Sequence, residues 1–118
     1  MKFEPQQTDA LIVEGYAGRG FIVAGSVWPD GVLVSAQAVV ALTSLDLDAF
    51  APLDTVDPPI ELVLIGTGGT MQRPDPLLLK ALQAKGWATE FMDSRAAART
   101  YNVLVNEGRQ VAVALLPT

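Results

Sequence analysis

The residues whose types and spacing could hold a ligand fall into two groups. In "LIGTGGTMQRPDP" (64–76) an apolar run ends in Gly66, Thr67, Gly68 and Gly69, and Arg73 follows closely. Further on, Asp93, Ser94 and Arg95 stand together, and Arg99 and Asn102 continue that series. Glycines let backbone amides turn toward an anion, arginines neutralise charge through a planar fork, and Thr67 and Ser94 can donate hydrogen bonds. Such a set suits a phosphate or a carboxylate. Proton transfer at the same place would fall to Asp93 or Glu90.

The motif itself leaves two readings open. No Gly-Lys-Ser/Thr closes the glycine stretch, and no G-x-G-x-x-G runs straight into the next helix, so neither common nucleotide fingerprint is present. The glycines either permit a sharp turn or cradle an anion. Arg95, Arg99, Asn102 and Asn106, spaced four, three and four, fall within about a sixth of a helical circumference. That row is either a solvated face or a ligand-facing one. Arg99 is expected to reach solvent or cleft, with Leu104 packed in the core on the opposite side.

Composition removes much of the catalytic repertoire. The chain has no cysteine and no histidine, hence no disulfide, no thiol nucleophile and no imidazole base or ligand. No metal site, no cofactor and no enzyme activity are expected. A formal charge of −5 argues against nucleic acid as a partner, because phosphate backbones are held by basic surfaces. No apolar run reaches the roughly 18 residues of a membrane-spanning helix. In "MKFEPQQTDALIVEG", Glu4, Pro5 and Asp9 precede any apolar stretch, so a secretion signal is not expected and a cytoplasmic location is.

The elements that must position these residues follow from two rhythms. The 118 residues suit a single domain, 1–118, hiding roughly two thirds of the unfolded surface. The runs "ALIVEGY" (10–16), "GFIVAGSVW" (20–28) and "GVLVSAQAVVAL" (31–42) read as short strands of antiparallel hairpins or a meander, with turn residues between them. The stretch 43–59, with three prolines and four aspartates, reads as a connector holding one short helical turn near Asp46 to Phe50.

The second half alternates strand and helix. "IELVLIG" (60–66), "ATEF" (88–91) and "QVAVALL" (110–116) are strands. Asp75 caps a helix with Pro76 at its first position and Gly86 past its end, and Asp93 or Ser94 caps a second helix over "RAAARTYNVLVNE" (95–107). This β-α-β-α-β order predicts parallel strands joined by right-handed crossovers. The two glycine- and serine-bearing loops then meet at one sheet edge, beside two helix amino termini. Trp28, Trp87, Phe91 and Tyr101 are expected to pack in the core.

The segment "TEFMDSRAAARTYNVLVNEGRQVAVALLP" (89–117), preceded by "LIGTG" (64–68), resembles the family of domains of unknown function that includes mitochondrial complex I assembly factor 3 and the adipogenesis-associated Mth938-domain protein. "RTYNVLVNEGR" (99–109) carries the strongest likeness. The resemblance implies a three-layer α/β fold in which a mixed sheet and a smaller antiparallel sheet pack with helices. It implies no established catalysis, and it implies protein partners, as for an assembly factor. Some relatives carry a cysteine near Ala98, so its absence makes thiol chemistry untenable here. The function expected is a noncatalytic interaction or assembly-factor-like protein. The alternative is a binding protein, or an unrecognised enzyme, for a small anion at Gly66 to Gly69.

Overall fold

Along "LVLIG" and "VAVAL" apolar residues alternate with each other rather than with polar ones, and both segments are strands covered on two faces. The computed structural model describes residues 9–118, so the amino-terminal positions behind the signal-peptide expectation, Glu4 and Pro5 among them, lie outside the described residues. In chain order the elements are β1 (Val13–Ala17), β2 (Gly20–Val23), β3 (Ser26–Trp28), β4 (Val32–Ser35), β5 (Val39–Ala41), a 3-10 helix (Leu47–Thr55), β6 (Leu62–Gly66), α1 (Pro76–Ala84), β7 (Ala88–Met92), α2 (Ser94–Asn106) and β8 (Val111–Leu115).

β1, β2 and β3 form a small antiparallel sheet, and the larger mixed sheet has the order β5-β4-β8-β6-β7. β6 pairs in parallel with both β7 and β8, and β4 runs antiparallel to β8. The two crossovers lie on opposite faces. Val63, Ile65, Ala112 and Ala114 pack with Leu78 and Leu82 of α1 and with Phe50 and Leu53 of the 3-10 helix. On the other face Leu64, Val111, Val113 and Leu115 pack with Ala97, Ala98, Tyr101 and Val105 of α2 and with Val13, Phe21 and Val23 of the small sheet. This is the expected three-layer α/β arrangement, with a mixed sheet, a smaller antiparallel sheet and two main helices in the β-α-β-α-β segment. Because the chain leaves β6 toward one face and β7 toward the other, the carboxyl ends of these two strands form the topological switch point of the sheet.

Four local expectations need correction. The run 20–28 is a hairpin, because Ala24 and Gly25, at φ 54° and 75°, make a two-residue turn between β2 and β3. The run 31–42 is split, with Ser35 N–H donating to Ala38 C=O where β4 turns into β5. The connector holds a nine-residue 3-10 helix rather than a single turn, because Phe50 and Leu53, three apart, share one face at that helix's repeat and are both buried. On α2, Val103 is exposed and Leu104, expected in the core, is only half-buried, so the helix buries a single stripe. Trp87 and Tyr101 are core residues as expected, whereas Trp28 and Phe91 are half-buried at its margins.

Candidate functional site

The glycine corner begins with a close approach. Gly66 ends β6 where the first turn of α2 crosses it, and a Cβ there would lie 2.8 Å from Ser94 Cα, Ser94 Oγ and Leu115 Cδ2. Only hydrogen fits. Gly68 is needed for a different reason, its φ of +103°, which side-chain-bearing residues rarely adopt. At Gly69 a Cβ would meet open space.

Polar groups in this corner bond to each other. The fully buried Ser94 hydroxyl donates to Leu116 C=O at 2.7 Å and accepts from Gly68 N–H at 2.8 Å, while Ser94 N–H donates to Gly68 C=O at 2.8 Å. The Thr67 hydroxyl donates to Thr70 C=O at 2.9 Å, with Met92 C=O 3.2 Å away, and accepts from Gln72 N–H at 2.9 Å. Both helix amino termini carry carboxylates. Asp75 Oδ1 accepts from Leu77 N–H and Asp93 Oδ1 from Ala96 N–H, each at 2.9 Å, so the positive ends of the helix dipoles already face a negative group.

The cations lie outside that knot. Arg73 is exposed and 6.0 Å from the centre of the Phe91 ring, and Arg95 stands 4.5 Å over the Tyr16 ring of the small sheet. Arg99 is exposed one turn further along α2. Among the described residues none of the three forms an ion pair. Asn102, the last member of the predicted set, turns away from the loop and pairs with Val13 of β1. The structure therefore joins Gly66, Thr67, Gly68, Asp93 and Ser94 at one corner, and leaves Gly69, Arg73, Arg95 and Arg99 around it.

Sequence reasoning missed two features. Tyr101, expected only to fill the core, also donates its hydroxyl to Leu11 C=O at 2.6 Å, and burial pushes its ionisation well above the ordinary tyrosine range. A second concavity, a groove of roughly 320 Å³, is lined by Leu45, Asp46, Leu47, Asp75, Leu77, Leu78 and Ala81. Its signal was present in three successive leucines at 77–79, more than one helical stripe can bury. Leu78 is buried, Leu79 half-buried and Leu77 74% exposed.

Comparison with other proteins fits this geometry. A relative in Xenopus tropicalis, described as NADH dehydrogenase [ubiquinone] 1 alpha subcomplex assembly factor 3, is 33% identical over 98% of this chain, which spans 66% of that relative's length. A Rhodobacter capsulatus protein is 38% identical over 97% of this chain and 90% of its own. A solution structure from Bordetella pertussis, described as an Mth938-like domain, matches with a TM-score of 0.80 and 29% identity over 99% of this chain and 92% of that one. Residues 13–116 match the family model described as "Protein of unknown function (DUF498/DUF598)". The resemblance read from residues 89–117 is thus a true kinship, and the chain belongs to the DUF498/DUF598 family.

Proposed function

We propose that this protein is a noncatalytic interaction module that assists assembly of a multisubunit complex, as the assembly-factor relatives are named to do. One observation carries the reading. At the switch point between β6 and β7, where an α/β enzyme would hold its substrate, the Ser94 and Thr67 hydroxyls are bound within the chain. The buried Ser94 hydroxyl must give up its hydrogen bonds before it can serve a substrate, which costs on the order of 1–3 kcal/mol.

The experiment is deletion of the gene with native-gel measurement of the assembled respiratory NADH dehydrogenase. The result expected is less assembled complex with subunit synthesis unchanged, restored by re-expression. Unchanged assembly overturns the proposal.

A second reading, binding of a small anion beside the Gly66 to Gly69 turn, draws on the absence of ion pairs at Arg73, Arg95 and Arg99 among the described residues. Thermal-shift measurement with phosphates, nucleotides and carboxylates tests it, since a ligand held by the native state raises the melting temperature. An unchanged melting temperature with all three classes removes it.

A further inference from the structure

The groove between the 3-10 helix and α1 is apolar in its floor and acidic at its rim. Leu45, Leu78 and Ala81 line it, and Leu47 and Leu77 stand open to solvent at 40% and 74% exposure. An aliphatic side chain left in water at the second position of a helix contributes nothing to folding, and a pair of them facing one concavity is surface suited to another molecule. Asp46 and Asp75 complete the lining. Both are exposed, and Asp48 adds a third exposed carboxylate beside Leu47. Among the described residues the only ion pair is Lys85 with Asp54 at 2.8 Å, so none of these three carboxylates has a cationic partner there.

The carboxylates are fixed in place. Asp46 accepts from the Ser44 hydroxyl at 2.6 Å and from Ala49 N–H at 3.0 Å, bonds that hold its carboxyl below the usual aspartate range and keep it ionised. Asp75 gives Oδ1 to Leu77 N–H, and its Oδ2 has no hydrogen-bond partner among the described residues. Each cap thus presents acceptor capacity beside the apolar floor.

We infer that this groove docks a segment of a partner protein that inserts one or two aliphatic or aromatic side chains between Leu47 and Leu77 and flanks them with lysine or arginine reaching Asp46 and Asp75. Charge complementarity selects that partner. The apolar floor supplies affinity, and the fixed carboxylates reject segments flanked by acidic residues. Dedicated to partner binding, the groove rests on the interaction-module reading, and it adds where the partner lies and what chemistry it carries. It lies apart from the glycine corner, sharing only the α1 cap Asp75.

The test uses the full chain and three synthetic amphipathic helical peptides: one with leucines flanked by lysines, one with the lysines replaced by glutamates, and one with the leucines replaced by serines. Amide chemical shifts are followed by NMR and affinity by fluorescence anisotropy. The lysine–leucine peptide is expected to shift Leu45, Leu47, Leu77, Leu78 and Ala81, and the other two to bind at least about tenfold more weakly. Leu77→Ser and Leu47→Ser, at exposed positions, should each weaken binding about tenfold while leaving the denaturation midpoint nearly unchanged. Equal binding of the glutamate peptide, or shifts confined to Val27 or Val103, overturns the inference. The same shifts on concentrating the protein alone identify a second copy as the occupant and also overturn it. Failure is separable from that of the assembly role: if Leu77→Ser fully restores complex assembly in the deletion strain, only the groove is lost. If the peptide binds as expected while deletion leaves assembly intact, only the assembly role is lost.

Discussion

Asn102 of α2 holds Val13 of β1 at both of its backbone groups: Oδ1 accepts from Val13 N–H and Nδ2 donates to Val13 C=O, each at 2.9 Å. The carboxamide stands where a neighbouring strand would, and ties the small sheet to the helix. A ligand candidate by its place on the polar row, Asn102 has an amide engaged in folding.

Asn102→Ala should therefore cost about 2–3 kcal/mol, because two hydrogen bonds go and Val13 keeps half-buried groups to satisfy. Asn102→Asp should cost at least as much, since a carboxylate cannot donate to Val13 C=O. Denaturant unfolding measures both. A loss within about 0.5 kcal/mol for Asn102→Ala would show that the pairing is dispensable.

Gly66→Ala should destabilise by about 2 kcal/mol or more, as its methyl would meet Ser94 and Leu115 at 2.8 Å. Gly69→Ala, open on all sides, should stay within about 0.5 kcal/mol. The contrast separates packing from ligand binding. Were Gly69→Ala to leave stability unchanged yet abolish a phosphate-induced thermal shift, the anion reading would gain its first direct support.

Tyr101 should give the protein an alkaline limit. Its folded-state pKa is raised by burial, so the folded protein keeps a proton that the unfolded chain releases above pH 10.0, the ordinary tyrosine value. Stability from this group is complete below that pH and falls as pH rises further. Tyr101→Phe should lose about 1 kcal/mol at neutral pH, with the hydrogen bond to Leu11, and show a shallower decline above pH 10.0. Parallel slopes for the two proteins would contradict the assignment.

Arg99→Ala should change stability by no more than about 0.5 kcal/mol, because the side chain is exposed and has no ion pair among the described residues. Val105→Ala, at a position 3% exposed, should cost about 1–3 kcal/mol. The better core comparison is Val105 rather than the half-buried Leu104. Equal losses at Arg99 and Val105 would mean that the arginine stem carries packing.

Ala24→Asn should stabilise by about 0.5–1 kcal/mol, since asparagine tolerates the left-handed backbone that alanine adopts there at φ 54°. A rise in the thermal midpoint checks it, and a fall would place the side chain against something other than solvent.

The sequence by itself determined the second half of the fold. Asp75, Pro76 and Gly86 bound α1 as their backbone preferences require, the Asp93-Ser94 pair marks the start of α2, and the apolar runs 60–66 and 110–116 are strands. Local chemistry decides such features, and local chemistry is written in order along the chain. The kinship was legible for the same reason, in the continuous run from Arg99 to Arg109.

Tertiary structure decided the rest. The Ala24-Gly25 turn escapes sequence reading because alanine disfavours the left-handed conformation, and only pairing of β2 with β1 and β3 imposes it. Whether Gly66 served a turn or a close approach depended on Ser94 and Leu115, which arrive from distant parts of the chain. Likewise Asn102 and Arg99 look alike on a helical projection, and differ because β1 lies against one and solvent against the other. The leucines at 77–79 show that one apolar side chain of α1 is left over, but the groove at Leu47 and Leu77 belongs to two elements separated by β6, and only chain closure brings them to one concavity. Side chains that act through distant neighbours acquire their roles only when the chain closes, because burial and hydrogen bonding are properties of the assembled surroundings rather than of residue type.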